Sequence, residues 1–364
     1  MDAALSPLID RIRAAAAARQ PLRIRGGGSK DFYGEPGGAG EVLSTAGLAG
    51  IVSYEPSELV VTVRAGTPLA DLEAALAARG QCLPFEPPHF GGGATVGGMV
   101  AAGLAGPARA SAGSVRDYVL GVTMVNGRGE VLVFGGQVMK NVAGYDVSRL
   151  LAGSMGTLGL IAQVSLKVLP VAPAEATLRF EMTQQQALDK LNAWGAQPLP
   201  LNASAWVEDE GAGTLYLRLR GAVAAVEAAC RSLGGERQPD AAADWARSRD
   251  LTLPWFEERA DRDLWRLSVP QTAPVLRLPD TPYVEWHGGQ RWVRAEPAAG
   301  RAVREAARAA GGSATLFVAG REGGADRGGR FDPLPAPLDR IHRELKNEFD
   351  PSRIFNPARL YPDL

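Results

Sequence analysis

The chain has 364 residues, of which 46% are hydrophobic and 22% charged, and its formal net charge at pH 7 is -1. This length suffices for two well-packed domains, and the near-neutral charge gives no reason to expect nucleic acid or an anionic membrane surface as a partner. The sequence has no run of roughly 20 apolar residues that could span a membrane and no signal peptide, so we expect a cytoplasmic protein.

The cysteine content limits the redox chemistry that the chain can carry alone. Its two cysteines are Cys82 and Cys230, whereas an iron–sulfur cluster takes about four thiolate ligands. We therefore predict no metal site. Electrons that arrive on this chain have to leave through a partner or a diffusible acceptor.

The first predicted elements are a helix over residues 2–19 and a short strand over 22–25. The strand runs into the block Gly26-Gly27-Gly28-Ser29-Lys30. Consecutive glycines after a strand are typical of a phosphate nest, in which N–H groups point inward and Ser29 and Lys30 add a hydroxyl and a cation. The block is not a Rossmann fingerprint, because Asp31 replaces the third glycine, and no Gly-Lys pair exists for a Walker loop.

Two strands, over 51–54 and 59–64, precede a helix that Thr67 is predicted to cap and Gly80 to end. A glycine-dense run follows at 91–103, with Thr95-Val96-Gly97-Gly98 at its centre. So many residues without a Cβ are tolerated where the backbone closely approaches something else. Two interpretations of this run are open. It binds a phosphate-bearing cofactor through the N–H groups where a helix begins, or it is a glycine-rich surface loop.

Residues 119–125 and 131–134 form a predicted hairpin around the turn Asn126-Gly127-Arg128-Gly129. Polar, glycine-containing blocks follow at 140–146 and 153–159, and the second runs into a strand over 160–169. Pro170 and Pro173 end this unit, and we place a domain boundary there.

The second half of the chain alternates strands and helices in two sets, over residues 177–233 and 264–318. This pattern predicts an antiparallel sheet with helices on one face. Residues 320–330 are predicted to be a loop with little structure of its own, and a last helix is predicted over 337–348.

Four blocks in one order carry a family resemblance: 26–30, 95–98, 113–117 and 153–161. Their order resembles the FAD-binding domain of the vanillyl-alcohol-oxidase type. The blocks at 140–146 and 350–357 are similar to the glycolate oxidase and D-lactate dehydrogenase branch. The short length and residues 265–270 look most like the FAD-binding subunits of bacterial glycolate oxidases. The resemblance covers nearly the whole chain, loosely over 173–330.

The resemblance implies an α+β fold with two lobes: a vanillyl-alcohol-oxidase-type FAD-binding domain and a smaller antiparallel α+β cap domain. On this basis the FAD-binding domain covers residues 1–172 and the cap 173–330. Residues 331–364 would then return to the FAD-binding domain.

The resemblance also implies which residues bind FAD. The 26–30 loop and the 95–98 helix start would hold the pyrophosphate, the 113–117 residues would line the flavin and ribityl chain, and the 156–161 residues would hold the adenosine half. Asn356 would approach the flavin ring. The expected cofactor residues are Gly26, Gly27, Gly28, Ser29, Lys30, Thr95, Val96, Gly97, Gly98, Gly113, Ser114, Asp117, Gly156, Thr157, Gly159, Ile161 and Asn356.

Many members of this superfamily carry a histidine just after the pyrophosphate loop that bonds covalently to the flavin. This chain has Ser29-Lys30-Asp31 in that region. The departure implies FAD that is bound non-covalently.

Oxidation of a 2-hydroxy acid needs a bound carboxylate, a base for the hydroxyl proton, a hydride path to the flavin and exclusion of water. His287 is the best candidate base, because it lies at a predicted hairpin of the cap, which covers the flavin in this superfamily. Arg266 and Arg291 are the candidates for the carboxylate. Either arginine could instead be a charge at a sheet edge or facing a partner.

Catalytic chains of this branch share a His-x-Gly-Asp-Gly-Asn block, which this sequence lacks. Three hypotheses therefore remain. The chain is a flavoprotein subunit of a glycolate oxidase complex, beside a catalytic FAD subunit and an iron–sulfur subunit; or it is a self-sufficient FAD dehydrogenase for a small 2-hydroxy acid; or it is an FAD-binding scaffold. The missing block favours the first and third hypotheses over the second, and the intact pyrophosphate loop favours the first over the third. For the first hypothesis the complex could associate with the inner membrane face through the partners.

Overall fold

The computed structural model describes residues 4–38, 40–136, 146–209, 211–320 and 327–364. Most of the 140–146 block and part of the 320–330 loop lie outside these described residues. The chain divides into two compact units. Unit 1 consists of Met1–Leu104, Ser114–Val171 and Pro333–Leu364, and unit 2 consists of Ala105–Gly113 and Ala172–Asp332.

The boundaries between the units lie after Val171 and after Asp332. The boundaries predicted from the sequence lay after residues 172 and 330. The sequence did not indicate that Ala105–Gly113 belongs to unit 2. No local pattern marks this segment, because its assignment depends on contacts with residues far along the chain.

The helices of the described residues are α1 (Ser6–Ala18), α2 (Leu69–Ala77), α3 (Val96–Ala102), α4 (Arg109–Ala112), α5 (Val115–Tyr118), α6 (Gln184–Gly195), α7 (Val223–Leu233), α8 (Ala242–Arg249), α9 (Pro254–Glu257), α10 (Gly300–Ala309) and α11 (Leu338–Phe349). The strands are β1 (Leu22–Arg25), β2 (Glu41–Ser44), β3 (Ile51–Glu55), β4 (Val60–Arg64), β5 (Gln81–Cys82), β6 (Val119–Val125), β7 (Val131–Gly135), β8 (Leu160–Lys167), β9 (Leu169–Pro170), β10 (Ala174–Glu181), β11 (Leu201–Asp209), β12 (Ala212–Gly221), β13 (Glu236–Gln238), β14 (Asp263–Ser268), β15 (Tyr283–Glu285), β16 (Gln290–Ala295) and β17 (Ser313–Val318).

A five-stranded antiparallel sheet in the order β3-β4-β8-β6-β7 forms the centre of unit 1. α1 packs its apolar stripe against this sheet, with Ile9 and Ile12 buried among Val125 and Leu160. The stripe repeats at helical spacing, which explains why a segment with so many alanines forms a helix and docks.

The C-terminal segment returns to unit 1 and pairs with β1. The Leu22 N–H donates to Ile354 O at 2.7 Å, and the Asn356 N–H donates to Leu22 O at 2.9 Å. Leu22 and Phe355 form a parallel bridge, while the other edge of β1 pairs in parallel with β2. The end of the chain thus fixes the strand from which the 26–30 loop begins.

A buried ion pair holds this return in place. The Lys346 ammonium and the Asp350 carboxylate lie 2.8 Å apart, with side chains 1% and 0% exposed. Lys346 also donates to Thr157 O and Phe355 O, and Asp350 accepts from the N–H groups of Ile354 and Phe355. Burial lowers the pKa of Lys346, an effect that the Asp350 charge opposes. Such a pair is tolerated inside a protein because hydrogen bonds satisfy both charges.

Unit 2 is built on one eight-stranded antiparallel sheet in the order β13-β10-β12-β11-β15-β16-β14-β17. The two predicted sets of strands therefore join in a single sheet. α6 and α7 bury Leu188 and Val226 against one face with Leu178, and α10 packs Val303 on Trp265.

The sequence predicted helices on one face of this sheet, and α8, a helix that the sequence did not predict, departs from this arrangement. Thr177 and Leu178 are neighbours on β10 and so point to opposite faces. Leu178 packs with α6 and α7, whereas Thr177 accepts a hydrogen bond from Trp245 of α8 at 2.9 Å. α8 therefore covers the face opposite to α6 and α7.

The predicted cap of the second helix is also wrong. The Thr67 hydroxyl oxygen accepts from the Gly50 N–H at 2.9 Å instead of capping α2, which begins at Leu69. A threonine before a proline is a local signal for a helix start. In this chain the Thr67 hydroxyl is instead hydrogen-bonded to Gly50, a residue 17 positions earlier in the sequence.

The buried pair gives a test of how the C-terminal return is held. Lys346→Met leaves the Asp350 carboxylate buried without its cation, and we expect it to lower the free energy of unfolding by about 3–5 kcal/mol. Chemical denaturation measures this change. The control is Arg340→Met on the same helix, which removes an exposed ion pair with Glu344 and should leave the free energy nearly unchanged. Equal stability of the two variants would contradict this role of Lys346.

Candidate functional site

Unit 1 contains a cavity of about 190 Å³ at the end of β1. A second cavity of about 50 Å³ adjoins it and shares Ile24, Gly26, Gly98, Met155 and Asn356 in its wall. The first is lined by expected cofactor residues from three distant segments: Gly26, Gly27, Gly28, Ser29, Lys30, Thr95, Gly98 and Asn356. The second adds Gly97, Gly156, Gly159 and Ile161.

Glycine is required where the first two of these segments touch. A Cβ on Gly27 would overlap Gly93 O, and a Cβ on Gly26 would overlap the Thr95 hydroxyl. The two glycine-rich blocks, separated by more than 60 residues in sequence, are therefore in direct backbone contact. This contact forms one wall of the cavity.

The 26–30 loop offers unbonded donors to the cavity. Within the described residues, the N–H groups of Gly27 and Gly28 make no hydrogen bond, and Gly28 has a φ of 80°, in the left-handed region. Successive N–H groups around such a residue form a nest for an anion. This geometry fits a pyrophosphate.

The start of α3 differs from its predicted role. The N–H groups of Val96 and Gly97 donate to Thr67 O at 3.0 Å and Ala65 O at 2.7 Å, and the Gly98 N–H donates to the Thr95 hydroxyl at 3.3 Å. These bonds fasten α3 to the end of β4 and occupy the donors of its first turn. The loop, rather than the helix start, thus supplies the open N–H groups.

Basic side chains surround the loop, and sequence analysis missed most of them. Arg23, Arg25 and Arg359 line the same cavity as Lys30. The Arg359 guanidinium donates to Glu35 O and Asp31 O, each at 2.7 Å, and so holds the segment after the loop. Alternation along β1 could have indicated Arg23 and Arg25, since residues two apart share a face beside the loop. Positive charge here suits a diphosphate.

Asn356 joins two walls of the cavity. Its side-chain oxygen accepts from the Ile24 N–H at 2.7 Å, and its amide nitrogen donates to Met155 O at 2.6 Å. A Cβ on Gly156 would lie 2.7 Å from that nitrogen, so the glycine leaves room for the amide. An approach of Asn356 to the flavin ring stays a prediction.

Five expected cofactor residues line neither cavity. Val96 and Thr157 are buried, and the Thr157 hydroxyl donates to Ser154 O. Gly113 ends the unit 2 segment, while Ser114 and Asp117 form a capping box at α5. Burial raises the pKa of Asp117, but the hydrogen bonds from the Ser114 N–H and hydroxyl, with the charges of Arg116 and Arg149, outweigh it and lower this pKa. The roles of these residues toward FAD stay predictions.

The placement of Arg291 counts against a role in carboxylate binding. Its side chain is fully buried, and its guanidinium donates to Gly288 O, Pro274 O and Ala273 O. Burial lowers its pKa to about 10. A guanidinium that is directed at three main-chain carbonyls fastens the loop before β15 and is not available to a substrate.

Arg266 and Arg291 also lie on opposite faces of the sheet. Arg266 pairs with Trp292 and Leu267 with Arg291, so the register alternates the two arginines between faces. The Arg266 guanidinium lies 5.5 Å from the centre of the Phe317 ring. The structure does not bring the two candidates together around one carboxylate.

His287 lies in a tight turn of unit 2 and has hydrogen bonds at both ring nitrogens. Nε2 is 3.0 Å from the Ser111 hydroxyl, and Nδ1 is 3.1 Å from the Ser204 hydroxyl. Burial lowers the pKa of His287 to about 4, so the imidazole is neutral at physiological pH. A base would have a free lone pair toward substrate, whereas both nitrogens here contact serines.

Unit 2 contains a further cavity of about 550 Å³ between its sheet and α8 and α9. Its wall includes the aromatic residues Trp245, Trp255 and Tyr283. The charged residues of this wall are three acids and one base: Glu208, Asp244, Glu258 and Arg247. A negative wall disfavours a small carboxylate anion such as a 2-hydroxy acid.

Three further observations concern metal ligands, membrane-spanning helices and cysteines. Among the described residues, no three histidine, cysteine or acidic side chains lie close enough together to hold a metal ion. Across the same residues, no helix has the length and apolar composition to cross a membrane. Both cysteines, Cys82 and Cys230, are free thiols.

Comparisons with known proteins agree with this geometry. The family described as "FAD binding domain" matches residues 6–135. The glycolate oxidase subunit GlcE of Escherichia coli (strain K12) is 45% identical over 357 residues, which covers 98% of this chain and 97% of the relative. The glycolate oxidase subunit GlcD of Bacillus subtilis (strain 168) is 32% identical over 161 residues, 44% of this chain and 34% of the relative. A solved alkyldihydroxyacetonephosphate synthase shares the fold, with a TM-score of 0.67 at 16% identity, over 97% of this chain and 74% of that one.

The fold and the glycine-lined cavity define an FAD-binding oxidoreductase of the α+β type with a cap, and FAD is its cofactor. Within this class, the chain belongs to the family of the glycolate oxidase subunit GlcE. The resemblance read from the sequence is thereby confirmed.

Two glycine variants test the cavity. Gly27→Ala introduces a methyl group that overlaps Gly93 O, so the two loops must separate, and we expect FAD affinity to fall at least tenfold. The matched control is Gly92→Ala, whose Cβ would have nothing within 4 Å. Titration of the apoprotein with FAD, followed by flavin fluorescence, measures both. Wild-type affinity in Gly27→Ala would show that FAD binds elsewhere.

The pKa of His287 predicts a pH dependence of stability. This pKa is about 4 in the folded chain against an ordinary value of 6.5, so the unfolded chain binds more protons between these values. The contribution to stability is complete above pH 6.5 and is lost as the pH falls toward 4. Free energies of unfolding at neutral and mildly acidic pH should differ less in His287→Gln than in the wild type. An equal decrease in both would contradict the lowered pKa.

Proposed function

We propose that the chain is the FAD-binding subunit of a glycolate oxidase complex that takes part in the oxidation of glycolate or D-lactate to the 2-oxo acid and passes electrons to a partner subunit. The observation that carries this proposal is the identity with GlcE along nearly the whole chain, together with the glycine-lined cavity. FAD, when bound, accepts and releases reducing equivalents. The residues of unit 1 bind it non-covalently, since Ser29-Lys30-Asp31 lies in the region where many members of the superfamily carry the covalently bonded histidine.

The catalytic oxidation of substrate takes place on another subunit. Three observations support this part of the proposal: the His-x-Gly-Asp-Gly-Asn block is missing, His287 contacts serines at both nitrogens, and Arg291 donates to main-chain carbonyls. A catalytic site needs the carboxylate ligand and the base together.

The partners in this proposal are a catalytic FAD subunit and an iron–sulfur subunit. GlcD is by its name a subunit of glycolate oxidase, and it is similar to this chain over 161 residues, 44% of the chain. The two cysteines of this chain do not suffice for an iron–sulfur cluster, so a one-electron carrier has to be supplied by another subunit. We place the complex in the cytoplasm, at the inner face of the membrane through its partners.

An anaerobic reduction experiment tests the proposal. The full chain, loaded with FAD, is mixed with glycolate or D-lactate, first alone and then with the catalytic subunit of the same complex. We expect its visible flavin band to persist in the chain alone and to bleach after the catalytic subunit is added. Bleaching in the chain alone would instead indicate a self-sufficient dehydrogenase.

A second experiment distinguishes an electron-carrying subunit from a scaffold. The same complex is assembled with the Gly27→Ala variant in place of the wild-type chain. If this FAD carries electrons, the variant complex assembles but reduces its acceptor slowly, whereas Gly92→Ala behaves as the wild type. Full activity in the Gly27→Ala complex without FAD in this chain would favour the scaffold hypothesis and contradict the proposal.

A further inference from the structure

The turn that contains His287 has an unusual backbone. Trp286 and His287 have φ values of 53° and 56°, and Gly288 follows at 97°. Two successive residues with side chains in the left-handed region are rare, and such conformations persist only where surrounding contacts determine them. The contacts of these two side chains therefore indicate what the turn does.

Both side chains contact one segment, Ala105–Gly113, which we call the connector. The Trp286 indole N–H donates to Gly106 O at 3.0 Å, and the Arg109 guanidinium lies 4.5 Å from the centre of a Trp286 ring. His287 Nε2 is 3.0 Å from the Ser111 hydroxyl. The connector is thus held at its start, middle and end by two residues of the turn.

The turn is itself anchored in unit 2. The Ser204 hydroxyl of β11 accepts from the His287 N–H at 3.0 Å and contacts Nδ1 of the same residue. Gln271 donates to Trp286 O at 3.2 Å. The sheet therefore fixes the turn, and the turn fixes the connector.

The connector has a particular place in the chain. It leaves unit 1 after Leu104, just past α3, whose first turn lines the FAD cavity, and it returns to unit 1 at Ser114. Ser114 begins the capping box with Asp117, a pair expected near the flavin. The connector is therefore joined directly through the main chain to both of these segments.

We propose that the Trp286–His287 turn is a positioning element that holds the connector and thereby sets the spacing of the two segments that flank it: α3, which lines the FAD cavity, and the Ser114–Asp117 pair, which is expected near the flavin. The proposal rests on FAD binding in unit 1. It assigns His287 a positioning role in place of catalytic proton transfer, and it gives the cap unit a part in cofactor affinity.

Two variants remove single contacts of the turn with the connector. Trp286→Phe keeps an aromatic ring for Arg109 but removes the hydrogen bond to Gly106 O, and Ser111→Ala removes the connector's hydroxyl from His287. We expect each to raise the FAD dissociation constant about 3- to 10-fold, which corresponds to the loss of one ordinary hydrogen bond. Ser111→Thr keeps the hydroxyl and should retain wild-type affinity.

The matched control is Trp245→Phe. Trp245 is a buried tryptophan of the same unit whose indole N–H donates to the Thr177 hydroxyl of β10 and not to the connector. This variant loses a comparable hydrogen bond, and we expect it to leave the dissociation constant of FAD unchanged.

A second readout does not depend on FAD. Arg109 is a trypsin site inside the connector, and cleavage after it in the full-length apoprotein, followed by mass spectrometry, should be several-fold faster in Trp286→Phe and Ser111→Ala. Failure of the wild-type chain to bind FAD would contradict the proposed function. The proteolysis would still test whether the Trp286–His287 turn holds the connector.

Wild-type FAD affinity in both Trp286→Phe and Ser111→Ala would overturn the proposal, as would unchanged cleavage after Arg109. Equal weakening of FAD binding by Trp245→Phe would also overturn it, because general loosening of unit 2 would then account for the loss. Ser111 is exposed, so Ser111→Ala is expected to fold even if Trp286→Phe does not.

Discussion

The contact between two glycine-rich loops is the constraint on which the cofactor site depends. Gly27 lies so close to Gly93 that a Cβ at position 27 would overlap Gly93 O. Any side chain at position 27 would therefore push the two loops apart. This contact brings the end of β1 to the start of α3, and the cavity lies beside it. The remaining parts of unit 1 support this arrangement. α3 is fastened to β4 by main-chain bonds, and β1 is held by the returning C-terminus through the buried Lys346–Asp350 pair.

This arrangement explains why donors for an anion are found in the loop and not at the helix. A helix start has N–H groups without partners inside the helix, and it is often an anion site for that reason. In this chain, Thr67 O and Ala65 O accept from the first turn of α3, and so the helix start is used to join secondary structure elements. The nest around Gly28, with Lys30 and the nearby arginines, is where we propose that the diphosphate binds.

Much of the fold and of the cofactor site could be predicted from sequence, because glycine blocks and strand patterns are local signals. The loop at 26–30 and the strand pattern of unit 1 belong to this group, whereas the C-terminal return was predicted from the family resemblance. The connector's assignment, the position of α8 and the occupied donors at Val96 and Gly97 depend on contacts between residues far apart in sequence. Arg291 also depends on such contacts. Its charge suggested a ligand for the substrate carboxylate, whereas its buried guanidinium donates to main-chain carbonyls.

We propose that FAD binds to this chain through the 26–30 loop. Hydrogen–deuterium exchange of the full chain, with and without FAD, tests it most directly, because the N–H groups of Gly27 and Gly28 have no partner among the described residues. We expect FAD to slow exchange in the peptide that contains this loop and in the peptide that contains Asn356, and to leave exchange in α10 unchanged. FAD binding with unchanged exchange at Gly27 and Gly28 would contradict it.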